Sequence, residues 1–427
     1  MIDINLIREN PEKVKELLHR KLWDTDFTEF LSWDKQKREL TQLVESSKAE
    51  MNKLSASVPM KKKAGEDVTP IFQEVKKIAA NIKEKEAELQ TLEDKINEFL
   101  FALPNIPDED LLGGGKENNQ VIRVINEKPT FSFPLKDHVY LAESLGLVDY
   151  ERGAKVAGRG AWVYTGLGAQ LEWALINFFI SEHLKDGYQF ILPPHLLNEQ
   201  SGFVAGQFPK FREDVFWLDG IEPQRFLLPT AETALVNLHR DEILSEDELP
   251  KKYFAYTPCY RREAGSYRSE ERGMIRGYQF DKVEMVQYTK PEDSDAAFEE
   301  LVGKAESLVK KLGLHYRVSK LAAGDISHAM ARTYDIEVYI PSIDIYKEVS
   351  SASNGRDYQP RRGKIRYRDS ATGKTRFVHT LNASGLATSR IFPAILEQFQ
   401  QEDGSVLVPE VLQPFMGGIK VLKPIKK

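Results

Sequence analysis

The chain has 427 residues, a mass of 48.8 kDa and a formal charge of −6, with 41 % hydrophobic and 29 % charged residues. That length predicts two or three domains and a core that needs no staples, and the charge balance leaves nucleic acid only a local patch to meet. Cys259 is the only cysteine, which excludes an intramolecular disulfide and any site built from several thiolates. The opening residues lack a basic region followed by an apolar run and a small-residue cleavage site. Apolar stretches such as Ala174 to Ile180 fall far short of the ~20 residues that cross a bilayer. The expectation is a cytoplasmic protein with no membrane partner.

Asn10-Pro11 opens a first helix, with an Asn cap and proline in the first turn. A second helix is predicted from about Phe27 to Ser57. Trp33, Lys37, Leu40, Val44, Ser47, Met51 and Leu54 recur at steps of four and three along it. A break is expected at Val58-Pro59-Met60. A third helix follows from about Thr69 to Leu100, with Val75, Ile78, Ile82, Lys85, Leu89, Leu92, Ile96 and Phe99 in the same rhythm. The two heptad seams predict an antiparallel hairpin over about 27–100, each helix roughly 45 Å long. Lys53, Lys61, Lys62 and Lys63 sit in a turn region without an acid. They fit a solvated turn or a basic tip that meets a phosphate backbone. Pro104 to Pro107 and the run Gly113-Gly114-Gly115 read as a linker, dividing the chain into 1–110 and 111–427.

The remainder predicts an α+β domain with antiparallel strands. Helices are expected at Leu171 to Leu184, Ala296 to Leu312 and Ser389 to Gln400. Strands are expected at Tyr188 to Pro194, Tyr253 to Arg261, Ile275 to Tyr288, Tyr334 to Val338 and Ile345 to Val349. A hairpin surrounds Ala371-Thr372-Gly373. No regular alternation of strands and crossover helices appears, which argues against a doubly wound fold. Gly373-Lys374-Thr375 lacks the glycine a phosphate loop needs five residues before its Gly-Lys pair, since Arg368 stands there. Gly166-Leu167-Gly168 lacks the third glycine of a dinucleotide site.

What remains is a dense polar constellation. Arg261, Arg262 and Glu263 follow one strand; Arg276, Tyr278, Phe280, Lys282 and Glu284 share one face of the next at a period of two. An aromatic ring among arginines suits a base and its phosphates. Glu348, Ser351 and Asn354 follow another strand. The run Asn382-Ala383-Ser384-Gly385-Leu386 leads into a helix with Arg390 in its first turn, where an arginine opposes the helix dipole and needs a counter-charge.

These elements together resemble the bacterial-type seryl-tRNA synthetases, members of the class II aminoacyl-tRNA synthetases. The opening Ile2 to Pro11, the long arm and its exit at Pro104 to Pro107 are similar to that family. So are Ala174 to Pro194 (class II motif 1), Tyr256 to Glu284 (motif 2) and Gly385 to Leu396 (motif 3). Thr230-Ala231-Glu232, Glu348-Val349-Ser350-Ser351 and Pro409 to Gly418 complete the series. The resemblance implies a tRNA-binding domain over 1–110, with Lys53, Lys61, Lys62 and Lys63 toward tRNA. It implies a class II catalytic domain over 111–427, built on an antiparallel sheet flanked by helices.

It also implies roles for single residues. Arg261 would clamp the α-phosphate of ATP and the serine carboxylate. Glu263, Arg276 and Phe280 would hold ATP, with Phe280 on one face of the adenine and Arg390 on the other. Thr230, Glu284, Asn382 and Ser384 would line the serine pocket, Glu284 facing the ammonium. Glu348 and Ser351 would hold Mg²⁺. The implied partners are tRNA(Ser), tRNA(Sec) where it exists, L-serine, ATP and a second copy of the chain. The sequence departs from the family at Tyr278, at Ser269-Glu270-Glu271, at Ala383 and at Met51. Two alternatives stay open. A paralogue charging a carrier protein would have a shortened arm. A non-catalytic homologue would have lost Arg261, Glu348 or Arg390.

Overall fold

The computed structural model describes residues 1–263 and 273–425. The motif 2 loop around Ser269, Glu270 and Glu271 lies outside the described residues. Two compact units are present. One comprises residues 2–16 and 24–103; the other comprises Met1, 17–23 and 104 onward. The units part at Leu103/Pro104, whereas the sequence division was expected after residue 110. The segment 17–23 joins the larger unit because Lys21 is buried there. Its Nζ donates to the carbonyls of Asn105 (3.3 Å), Ser327 (2.9 Å), His328 (3.2 Å) and Met330 (2.7 Å).

The smaller unit is a helical hairpin. Short helices α1 (Ile4–Glu9) and α2 (Pro11–Arg20) precede the long pair α3 (Thr28–Lys63) and α4 (Thr69–Ala102). The predicted seam is the buried one: Val44, Ile78, Ile82, Leu92 and Ile96 are covered while the residues between them are exposed. Lys37, a seam position, is answered across the hairpin by Glu93 at 3.0 Å, and Lys48 by Glu86 at 2.7 Å. Phe30 stacks on Phe99 with centroids 5.0 Å apart. Arg8 holds the buried carboxylate of Asp34 with two hydrogen bonds of 2.8 and 2.6 Å. The expected break at Pro59 does not occur, for α3 runs through it to Lys63. Proline removes one intrahelical hydrogen bond, and at this exposed site water can satisfy the freed carbonyl. Lys61, Lys62 and Lys63 therefore form the last helical turn rather than the connecting turn.

The larger unit is built on an eight-stranded sheet. Its strands are β1 (Gln120–Ile125), β2 (Gln189–Ile191), β3 (Lys251–Tyr260), β4 (Gln279–Thr289), β5 (Tyr316–Lys320), β6 (Arg332–Ile340), β7 (Ile345–Arg356) and β8 (His379–Ala387). The spatial order is β1-β5-β6-β7-β8-β4-β3-β2, and only β2 and β3 pair in parallel. Helices α5 (Leu167–Lys185), α7 (Ser294–Lys311) and α8 (Thr388–Gln398) contribute to the main core; α6 (Ala231–Leu235) belongs to a second cluster. In the main core Leu175, Phe179, Phe298, Leu301, Phe392 and Ile395 pack with Phe254, Val283, Met285 and Ala383 of the sheet. Alternate residues of the same strands, Glu284, Val286 and Asn382, face the other way.

β6 and β7 are longer than expected, and β1, β5 and β8 are strands the sequence reading did not anticipate. β7 continues past Val349 to Arg356, and β8 occupies the stretch read as a small-residue approach to a helix. Both are central and their small residues are buried, so neither shows polar-apolar alternation. At Gly385 a Cβ would lie 2.3 Å from His183 Nε2, so no larger residue fits without displacing the ring. β4 starts only at Gln279, so the period-two argument does not reach Arg276 and Tyr278.

Candidate active site

The polar face of the sheet collects residues from four adjacent strands. On β4, Phe280, Lys282 and Glu284 pair in unbroken register with Cys259, Thr257 and Ala255 of β3, which keeps all three on one face. Ser384 of β8 lies opposite Glu284. Glu348 and Ser351 are three apart, a spacing that puts two residues on opposite faces of a regular strand. The register resolves this: Glu348 pairs with Glu337, Ser350 with Ile336 and Ser351 with Asp335. Val349 is the extra residue of a β-bulge, and the bulge turns Glu348 back to the face of Ser351.

Around Glu284 the side chains form a closed network. Asn382 Nδ2 donates to Glu284 Oε1 at 3.0 Å and to Glu232 Oε2 at 3.3 Å. Ser384 Oγ donates to Glu284 Oε2 at 3.3 Å. Lys282 Nζ lies 2.6 Å from Glu284 Oε2 and donates to Thr230 Oγ1 at 2.8 Å. Thr230 caps α6, accepting from the Glu232 backbone at 3.3 Å. Gln359 Nε2 donates to Glu232 Oε1 at 2.8 Å, and Thr380 Oγ1 holds the Gln359 carbonyl at 2.7 Å. Burial, and then the nearby Glu284, push the Glu232 carboxyl up to about 7.

The expected phosphate side is adjacent. Arg261 lies over the Phe280 ring at 5.1 Å, and its Nε donates to the Pro229 carbonyl at 3.2 Å. Arg276 forms a close ion pair with Glu263. Arg390 donates to the Glu348 carbonyl at 2.8 Å and lies 3.6 Å from its carboxylate, so Glu348 supplies the counter-charge this helix position needs. Arg261, Glu263, Arg276, Phe280, Lys282, Glu348, Ser384 and Arg390 line one cavity. A second cavity of about 390 Å³ meets it at Arg261, Glu263 and Arg276, and includes Thr230 and Glu232. Tyr278 does not share this face. It lines a neighbouring aromatic cavity with Trp162 and Phe216, which meets the first at Phe280.

Ser351 lines neither of the first two cavities. Its partner is the half-buried Asp335, whose carboxyl is pushed up by loss of solvent and by Glu348 while the Ser351 hydrogen bond opposes the shift. Asp335 Oδ1 has no hydrogen-bond partner. Among the described residues no group of three or more His, Cys, Asp or Glu could hold a metal ion.

The N-terminal residues 1–107 match the model of the seryl-tRNA synthetase N-terminal domain, and residues 216–399 match that of the class II tRNA synthetase core domain for G, H, P, S and T. Serine–tRNA ligase 2 of Clostridium acetobutylicum is 61 % identical over 99 % of this chain and all of its own. The chain belongs to the seryl-tRNA synthetase family. Another family member, from Thermodesulfovibrio yellowstonii, is 46 % identical over 98 % of this chain and 99 % of its own. The crystal structure of seryl-tRNA synthetase from Pyrococcus horikoshii complexed with ATP superimposes with a TM-score of 0.91 at 34 % identity, each chain fully covered. Within the seryl-tRNA synthetase frame, sequence reasoning missed Gln359 and Asp335. Gln359 lies in a short helix with no motif around it, and Asp335 lies in a β6 whose apolar neighbours mask it.

Proposed function

We propose that this chain activates L-serine with ATP to give seryl-adenylate and pyrophosphate, then transfers the seryl group to the 3′ end of tRNA(Ser). The observation that carries the reading is the buried Thr230–Lys282–Glu284–Asn382–Ser384 network opening beside Arg261 and Arg390. It joins a small ammonium- and hydroxyl-binding pocket to a phosphate-binding cavity. The serine carboxylate is ionised at pH 7 and attacks the α-phosphorus without a general base. Arg261 neutralises charge at the α-phosphate, while Phe280 holds the adenine, Glu263 and Arg276 frame it, and Arg390 meets the γ-phosphate. A pocket lined by Thr230, Glu284, Asn382 and Ser384 leaves partners unpaired when alanine enters, which such sites reject by ~10⁴-fold.

Mg²⁺ belongs to this reading. Glu348 and Ser351 would hold it, supplying charge neutralisation on the phosphates. Their all-oxygen donor set suits a hard cation, and the orphaned oxygen of Asp335, the cross-strand neighbour of Ser351, supports the fit. Residues 1–110 are proposed as the tRNA-binding domain, with Lys53, Lys61, Lys62 and Lys63 toward the nucleic acid, and 111–427 as the catalytic domain. The four lysines are exposed. Charging of tRNA(Sec), a homodimer and a cytoplasmic location complete the proposal. Exposed Trp173, immediately before the motif 1 segment, and exposed Leu192 within it support the dimer. No helix among the described residues is long and apolar enough to cross a membrane.

ATP–pyrophosphate exchange with purified protein, Mg²⁺ and each amino acid in turn tests the reading. Strong exchange with serine alone is expected. Exchange with a different amino acid would remove Thr230, Glu284 and Ser384 from a serine pocket, and no exchange at all would favour a non-catalytic RNA-binding homologue.

A further inference from the structure

Lys282 sits where a substrate ammonium belongs. Its side chain is 8 % exposed, and its Nζ bridges Glu284 Oε2 at 2.6 Å and Thr230 Oγ1 at 2.8 Å. Those two groups are the ones proposed to receive serine. A small amine bound there would need the same carboxylate oxygen that Lys282 already holds. Lys282 cannot simply be expelled, because a buried ammonium without a partner is costly. An amino acid, however, brings a carboxylate as well as an ammonium.

We propose that the substrate zwitterion inserts into the Lys282–Glu284 ion pair, its ammonium replacing Lys282 at Glu284 and its carboxylate becoming the new partner of Lys282. One buried pair becomes two, and every charge stays compensated. Lys282 lines the same cavity as Arg261, so the released amine remains on the side where the carboxylate must lie for attack on ATP. The device selects amino acids over amino alcohols: an amine lacking the carboxylate leaves Lys282 stranded. The inference rests on the serine reading above and adds a specificity-determining residue to it.

The test compares serine with serinol, which keeps the ammonium and hydroxyl and lacks the carboxylate. ATP–pyrophosphate exchange is measured for the wild-type chain and Lys282→Met at pH 8.5, with serinol as competitive inhibitor and thermal unfolding as the check on folding. In Lys282→Met the serinol Ki should fall ~10-fold while the serine KM rises ~10-fold, since the internal competitor and the carboxylate partner are lost together. Equal changes of both constants in the same direction would mean a merely structural lysine and overturn the proposal. Should the variant fail to fold, a crystal structure of the wild-type chain with serine decides. Nζ moved from Glu284 to the serine carboxylate supports insertion; Nζ still on Glu284 overturns it. If exchange runs with another amino acid, the serine reading fails, and the same comparison is made with that amino acid and its amino alcohol.

Discussion

Glu232, beside the proposed serine pocket, shows how burial sets the charge of a single side chain. It is enclosed with Glu284, and two like charges in a dry pocket resist ionising together. Gln359 donates to its ionised form, and the nearby positive charges of Lys282 and Arg261 also favour it, which holds the carboxyl at about 7. Above that pH the proposed serine pocket carries one more negative charge, which would attract an ammonium. The serine KM should therefore fall as pH rises from 6 to 8, and the inflection should vanish in Glu232→Gln. A profile unchanged by that substitution would place the titration elsewhere. For stability the sign is opposite. A carboxyl raised above its ordinary 4.5 binds a proton more tightly when folded, so folding loses stability as pH climbs from there toward 7.

Among elements, the hairpin of α3 and α4 depends on a narrow seam. Few wide apolar faces back it, so polar anchors at its root matter more than in the sheet domain. Asp34 is the clearest, 1 % exposed beneath Arg8, which holds its carboxyl below the usual range with Arg38 assisting. Arg8→Ala should destabilise the helical hairpin by about 2 kcal/mol, read as a lower first transition in thermal melts followed at 222 nm. A depressed carboxylate stabilises the fold above its ordinary 3.8, and that stabilisation is lost as pH falls through the lowered value. The Arg8→Ala deficit should accordingly be full at pH 6 and shrink below pH 4. In the sheet, the bulge at Val349 plays the corresponding part, since it alone brings Glu348 to the face of Ser351.

For the whole molecule, the proposal assigns activation and tRNA capture to different units, and this separation is testable. Replacing Lys53, Lys61, Lys62 and Lys63 by alanine removes four exposed positive charges far along the chain from Arg261. Serine-dependent ATP–pyrophosphate exchange without tRNA should be unchanged. Aminoacylation should lose ~10-fold or more in kcat/KM for tRNA at physiological salt, with a shallower salt dependence. Equal losses in both assays would mean that the lysines act on folding rather than on tRNA.

Local pattern was enough for the features that local physics controls. The heptad spacing of Val44, Ile78 and Leu92 specifies a helical pair because each helix must hide its own stripe, and the motif order from Thr230 to Arg390 placed the site residues in one family. The partners were not legible. Lys282, Glu284 and Thr230 are separated by up to 54 positions, and only β3–β4 pairing with the cap of α6 brings their atoms within hydrogen-bond reach. The face of Glu348 was likewise undecidable from its spacing to Ser351, because a bulge adds one residue without leaving a mark in composition. Helix formation is a matter of neighbours in the chain, whereas the site is a matter of strand register, which long-range pairing alone decides.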